Sequence, residues 1–192
     1  MGKTDFRIDP RTGLANAARQ VASPNSDERP DGVQPDLIVV HGISLPPGEF
    51  GGPWIDALFT NRLDPAAHPA FAEVAGLRVS AHFLIRRDGE LVQFVPVTRR
   101  AWHAGPSMHC GRECCNDFSV GIELEGADEV PYTAVQYEAL AGLVRALRDV
   151  IPSLRQAPIV GHSDISPGRK TDPGPAFDWG RLAQSLAAGS SA

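Results

Sequence analysis

The sequence predicts one α/β (α+β) domain in which a central mixed β-sheet is flanked by helices. Three observations predict it. Short apolar runs of strand length recur, and two of them end at a histidine, His41 and His162. An Asp88-Gly89 pair sits between two apolar segments, the pattern of a β-hairpin. A long stretch after Thr133 repeats apolar residues every three or four positions, the period of a helix packed on one face. In order the elements read strand, helix, hairpin, strand, helix, strand, helix, which implies a mixed sheet with helices against it. A length of 192 residues suits one domain with loose ends, large enough to hold a core without disulfides.

Residues 1–35 are polar and interrupted by Pro24, Pro30 and Pro35, and are expected to form an irregular arm packed on the domain. The main domain is expected over residues 36–186. Asp36-Leu-Ile-Val-Val-His41 is continuous and β-branched, as in a strand buried on both faces. Residues 44–52 carry Pro and Gly and form a loop; residues 54–63 suit a short helix; residues 64–77 look irregular. Val79 to Arg87 and Glu90 to Val95 are the arms of the hairpin, with Asp88-Gly89 supplying a type I′ turn. Residues 101–117 form a long surface loop, and long loops in compact domains often carry function.

In Phe118-Ser-Val-Gly-Ile-Glu-Leu-Glu125 the alternation puts Phe118, Val120, Ile122 and Leu124 on one side. Ser119, Gly121, Glu123 and Glu125 fall on the other. Thr133 and Gln136 make a capping box; Tyr137, Leu140, Val144, Leu147 and Ile151 form the apolar helix face, and Pro152 ends it. Pro158 to His162 reads as a strand, about Phe177 to Leu186 as a last helix, and residues 187–192 as a flexible tail.

Composition narrows the function. A net charge of −5 and a pI of about 5.6 disfavour nucleic acid as partner, because phosphate binding needs concentrated basic surface. No apolar run long enough for a signal peptide or a membrane span occurs, so a cytoplasmic location without membrane attachment is expected. Nothing asks for an obligate dimer, and a monomer is expected. Cys110, Cys114 and Cys115 are an odd, clustered set that makes a poor disulfide framework, and with His109 they fit the four-ligand spacing of structural zinc badly. Reduced thiols are the expected state.

His41 and His162 each close an apolar run, and Asp172 follows ten residues after His162. Two imidazoles and a carboxylate would make a three-ligand catalytic zinc site with a fourth position for water. Spacing alone leaves other readings open: hydrogen-bonded structural histidines at both strand ends, a turn-starting Asp172 ahead of Pro173, and a solvated Glu123.

Five segments carry a resemblance to a known family. They are Val39-Val-His-Gly-Ile-Ser-Leu-Pro-Pro-Gly-Glu-Phe-Gly-Gly52, Arg78-Val-Ser-Ala-His82, Ala101-Trp-His-Ala-Gly105, Asn116-Asp-Phe-Ser-Val-Gly-Ile-Glu-Leu-Glu-Gly126 and Arg169-Lys-Thr-Asp-Pro-Gly-Pro175. The chain resembles the AmpD branch of the N-acetylmuramoyl-L-alanine amidases from about residue 12 to about residue 182. A wider family with phage amidases and peptidoglycan-recognition proteins surrounds that branch.

The resemblance implies a zinc amidase that cleaves 1,6-anhydro-N-acetylmuramyl-L-alanine peptides in cell-wall recycling, with a small soluble muropeptide as substrate. It implies one Zn2+ per chain on His41, His162 and Asp172. Glu123 becomes the general acid/base, in preference to Glu125, and Lys170 the group supporting the oxyanion. Arg78 and Arg112 become candidates for holding a peptide carboxylate, and Trp102 for stacking on the sugar; ordinary surface or core roles stay open for all three. Gly42 and Cys114 depart from relatives, which often carry Asn and Arg there, and so bear on peptide affinity. Two alternatives remain: a non-catalytic peptidoglycan-binding module, and an amidase acting on intact murein.

Overall fold

The structure, a computed structural model, describes residues 6–188. Its main sheet has six strands in the order β1-β5-β4-β9-β3-β10. These are β1 (Arg19–Gln20), β3 (Leu37–Ile43), β4 (Phe83–Ile85), β5 (Leu91–Gln93), β9 (Ser119–Glu125) and β10 (Ile159–Gly161). Strands β4, β9, β3 and β10 run parallel; β5 runs antiparallel to β4, and β1 follows β5. Two small ribbons complete the strands: β2 (Ser26–Asp27) with β6 (Arg100–Ala101), and β7 (Met108–His109) with β8 (Arg112–Glu113).

One face of the sheet is covered by α2 (Ala134–Val150) and α4 (Trp179–Ala187). Ile38, Val40, Val120, Ile122 and Leu124 meet Tyr137, Leu140, Val144 and Leu147 of α2 there. The Thr133 hydroxyl accepts from the Gln136 amide while the Gln136 side chain accepts from the Thr133 amide, so the expected capping box starts α2. The opposite face carries α1 (Trp54–Phe59), packed through Ile55 and Phe59 near Leu84 and Val92, and the segment 101–118 against Leu37 and Val39. The four-residue α3 (His162–Ile165) follows β10 directly.

Several expectations need correction. The 83–93 hairpin does not turn on a two-residue type I′ loop. The Arg86 amide donates to the Glu90 carbonyl and the Gly89 amide to the Arg86 carbonyl, with positive φ at Gly89 and not at Asp88. The turn spans three residues, with a type I bend closed by a left-handed glycine. The helix expected over 54–63 stops at Phe59, where Thr60 caps it and Asn61 turns left-handed. His162 is not the end of a strand but the first residue of α3. The loop 101–117 is structured by β7, β8 and a 3-10 turn at Cys115–Asp117. Strand β9 is buried on both faces, so Glu123 is not a solvated side chain. Residues 6–35, read as irregular, contribute β1 and β2 and place Phe6, Ile8 and Ala15 in the core. Of the tail expected at 187–192, Ala187 closes α4 and residues 189–192 lie outside the described residues.

Candidate metal centre and active site

Strand order determines which side chains meet. In the parallel pairing of β3 with β9, His41 lies opposite Glu123, and β10 on the far side of β3 delivers His162 at its C-terminal end. Ligand sites of open α/β sheets gather beyond these carboxyl ends. Asp172 comes in on the following loop, which is tied back by the Ser163 amide donating to the Asp172 carbonyl at 3.0 Å.

Three acceptor atoms converge there. His41 Nδ1 is 3.0 Å from His162 Nδ1, and Asp172 Oδ2 is 3.2 Å from the first and 3.1 Å from the second. Among the described residues these three form the group able to hold a metal ion. The donor set passes a chemical test. His162 Nε2 faces the Ala104 carbonyl at 3.1 Å as a donor, so a neutral ring carries its lone pair on Nδ1. That lone pair, the Asp172 carboxylate and His41 Nδ1 all point at one small volume, an arrangement that a shared cation stabilises. Their spacings of 3.0–3.2 Å are a few tenths of an ångström short of the about 3.3–3.6 Å between ligands about 2.0–2.2 Å from a tetrahedral centre, so a small opening of the cluster admits the ion.

Electrostatics follow the same geometry. Burial of His41 lowers its pKa to about 4, against the opposing pull of Asp172. Burial alone would raise Asp172, but the close approach of the His162 and His41 rings outweighs it and holds the carboxyl well below its usual range. Burial, reinforced by the Asp172 charge, raises Glu123 well above the usual carboxylate range, and Lys170 pulls it back down.

The two glutamates of β9 differ in what they bond. Glu125 pairs with Arg86 at 3.1 Å and accepts from the amides of Gly51 at 2.7 Å and Arg87 at 3.2 Å. Glu123 is also buried, yet its Oε2 has no hydrogen-bond partner among the described residues. A buried carboxylate oxygen without a partner is costly unless something else uses it.

The remaining candidates lie on separate segments of the chain. Lys170 is exposed on the Arg169–Asp172 loop, and its charge acts on both Glu123 and His41. Trp102 is partly buried and donates its indole N–H to Asp27 at 3.2 Å. Arg78 is exposed on a stretch joined to Trp102 through the Ser80 hydroxyl, which accepts from the Trp102 amide at 3.0 Å. Arg112 is already engaged, paired with Asp36 at 2.7 Å and lying 3.7 Å above the Phe118 ring. Cys110 and Cys114 are exposed free thiols and Cys115 is buried.

Sequence reasoning assigned no role to His103, Arg169 or Tyr132, although His103 and Arg169 lie inside two of the five segments that carry the resemblance. His103 Nδ1 faces His41 Nε2 at 2.9 Å. Arg169 donates to the carbonyls of Ala104 at 2.6 Å and Pro106 at 2.8 Å, fastening the 101–106 segment to the loop after α3. The Tyr132 hydroxyl donates to the Pro173 carbonyl at 2.9 Å and fills the space beside Gly42, where any Cβ would strike it.

A group able to hold a divalent ion next to a poised carboxyl is the equipment of a metal-assisted hydrolase. A family model described as N-acetylmuramoyl-L-alanine amidase matches residues 31–175. The 1,6-anhydro-N-acetylmuramyl-L-alanine amidase AmpD of Escherichia coli K12 is 66% identical over 170 residues, covering 88% of this chain and 92% of the relative. The crystal structure of a selenomethionine AmpD derivative superposes with a TM-score of 0.90 at 59% identity, over 93% of this chain and 98% of that one. The Escherichia coli amidase AmiD, solved with anhydro-N-acetylmuramic acid-L-Ala-D-γ-Glu-L-Lys, superposes with a TM-score of 0.55 at 27% identity, over 94% of this chain and 65% of that one. The chain belongs to the N-acetylmuramoyl-L-alanine amidase family. Among the described residues no helix is long and apolar enough to cross a membrane.

Proposed function

We propose that this chain hydrolyses the amide between the lactyl group of 1,6-anhydro-N-acetylmuramic acid and the L-alanine of the stem peptide. The substrate is a small soluble fragment of peptidoglycan in the cytoplasm. His41 Nδ1, His162 Nδ1 and Asp172 would hold one zinc ion per chain. The observation that carries this reading is the unpartnered, buried Glu123 carboxylate lying in register beside His41 of the three-atom acceptor cluster. The substrate assignment draws on the names of the most similar relatives and on the ligand bound to AmiD.

When bound, zinc supplies Lewis acidity and lowers the pKa of water toward about 7. Glu123 takes the proton from the attacking water and hands it to the departing alanine amine. A carboxyl whose pKa lies well above the usual range is suited to this two-way duty near neutrality. The Lys170 ammonium supports the oxyanion. Arg78 and Trp102 border the substrate in this reading; Arg112 is paired with Asp36 just ahead of β3, at the other end of the strand from His41, and would have to leave that pairing to bind a peptide carboxylate.

The test is product mass spectrometry on a defined anhydromuramyl-tripeptide, with and without a chelator, and metal content measured on the same sample. Free tripeptide and 1,6-anhydro-N-acetylmuramic acid, lost on chelation and recovered with zinc, are expected. Comparing turnover on that substrate and on insoluble sacculi separates recycling from action on intact murein. Binding of the fragment without cleavage by zinc-loaded protein would leave only a recognition module. Cell fractionation tests the location.

A further inference from the structure

We propose that His103 is a positioning residue for the metal centre: through a relay from the Cys115 carbonyl and the Ser119 hydroxyl it holds His41 in the tautomer whose Nδ1 lone pair faces the ion. The proposal rests on the reading of His41, His162 and Asp172 as metal ligands.

Each link follows from counting hydrogens. The Ser119 hydroxyl has one hydrogen, and it lies 2.5 Å from the Cys115 carbonyl oxygen, which can only accept. The hydrogen therefore points at Cys115, and Ser119 Oγ is left to accept from His103 Nε2 at 3.1 Å. His103 thus carries its proton on Nε2. The ring is only 8% exposed and pairs with no carboxylate among the described residues, so it is neutral and its Nδ1 is an acceptor. Facing that acceptor at 2.9 Å is His41 Nε2, which must donate. A neutral His41 with its hydrogen on Nε2 carries a lone pair on Nδ1, the atom that meets His162 Nδ1 and Asp172.

Two features show that the segment is built for this. The His103 and Ala104 amides both donate to Asn116 Oδ1, at 3.0 and 2.8 Å, so one side chain fixes the residue behind His41 and the carbonyl that receives His162. The His103 ring fills the space beside Gly121, where any Cβ would collide with it. Both ligand imidazoles are thereby oriented by adjacent residues, His103 and Ala104, of one short segment. Partners of this kind commonly change metal affinity by about 10–100-fold.

The test measures zinc affinity by competition with a chelating indicator in the wild type, His103→Leu, His103→Asn and Ser119→Ala. The melting temperature of each metal-free protein and the visible spectrum of each cobalt-loaded protein are recorded alongside. His103→Leu removes the acceptor and is expected to weaken zinc binding about 10–100-fold and to alter the cobalt spectrum. His103→Asn offers an amide oxygen near the position of Nδ1 and is expected to recover most of the affinity. Ser119→Ala keeps the ring but frees its tautomer, so a smaller loss is expected, and it carries the test should His103→Leu not fold. Wild-type affinity in both His103→Leu and Ser119→Ala, or equal losses in His103→Leu and His103→Asn, would overturn the relay. Failure of the metal-site reading looks different: the wild type itself would not bind one zinc, or Asp172→Ala would bind it as tightly.

Discussion

At the scale of single residues, the pair Glu123 and Glu125 shows how bonding divides labour between side chains that the pleat sends to the same face. Glu125 is consumed by Arg86 and two amides, whereas Glu123 keeps an oxygen free. Glu123→Gln is expected to retain zinc and fold while kcat on the anhydromuramyl-peptide falls by about 10²–10⁴, the usual worth of a general acid/base. Glu125→Ala is expected to fail differently. It removes one of the two carboxylates paired with Arg86, which keeps Asp56, and leaves the Gly51 and Arg87 amides without their acceptor; at about 1–3 kcal/mol and about 2–4 °C per kcal/mol the melting temperature falls by several degrees. Thermal melts and steady-state kinetics on the two variants check the contrast. The alternation in β9 was legible in the sequence and so was the shared face of both glutamates. Which of them stays unbonded was not, because Gly51, Arg86 and Arg87 come from distant segments. His103 escaped for the same reason, since its partners His41 and Ser119 are on strands separated from it along the chain.

At the scale of elements, local chemistry was readable and long-range chemistry was not. The start of α2 is specified by a capping box within four residues and its buried face by spacing along one helix, so both were visible in the sequence. The β7–β8 ribbon has strands of two residues, too short to show any period, and the segment around it was read as loop. The turn after β4 was misread because Asp-Gly also serves a three-residue loop, in which only the glycine needs positive φ. The capping threonine does more than start α2, since its hydroxyl also donates to the Arg87 carbonyl at 2.8 Å and joins the helix to that turn. Thr133→Ala is therefore expected to cost about 1–2 kcal/mol, the upper part of the range for a lost N-cap. A melting temperature within a degree of the wild type would show that the cap and the tether contribute nothing.

At the scale of the whole molecule, the site exists because β9, β3 and β10 lie side by side and parallel, so that residues 41, 123 and 162 share one end of the sheet. Elements and their order could be read from periodicity, but strand adjacency could not; strand ends and spacing offered His41, His162 and Asp172 as one reading among several, and the resemblance selected it. Building the site this way buries several imidazoles together, and that has a consequence for acid stability. Burial lowers His41 to about 4 and His82 to about 3, and takes His103 well below its usual 6.5. Between those values and 6.5 the unfolded chain binds more protons than the folded one. Their contribution to stability is thus complete above about pH 6.5 and is lost as pH falls, for His82 down to about 3. Each such group gives a slope of up to about 1.4 kcal/mol per pH unit. Asp172, held low, adds loss in the same direction but only below about 3.8. Glu123 acts oppositely: its raised pKa means that its charge destabilises the fold above about 4.5, and acidification relieves that. Three histidines against one carboxyl leave a net loss, so the urea midpoint of the metal-free protein is expected to fall steadily from pH 7 to pH 5. A midpoint that stays level or rises over that interval would mean that the imidazoles are not held neutral by the fold.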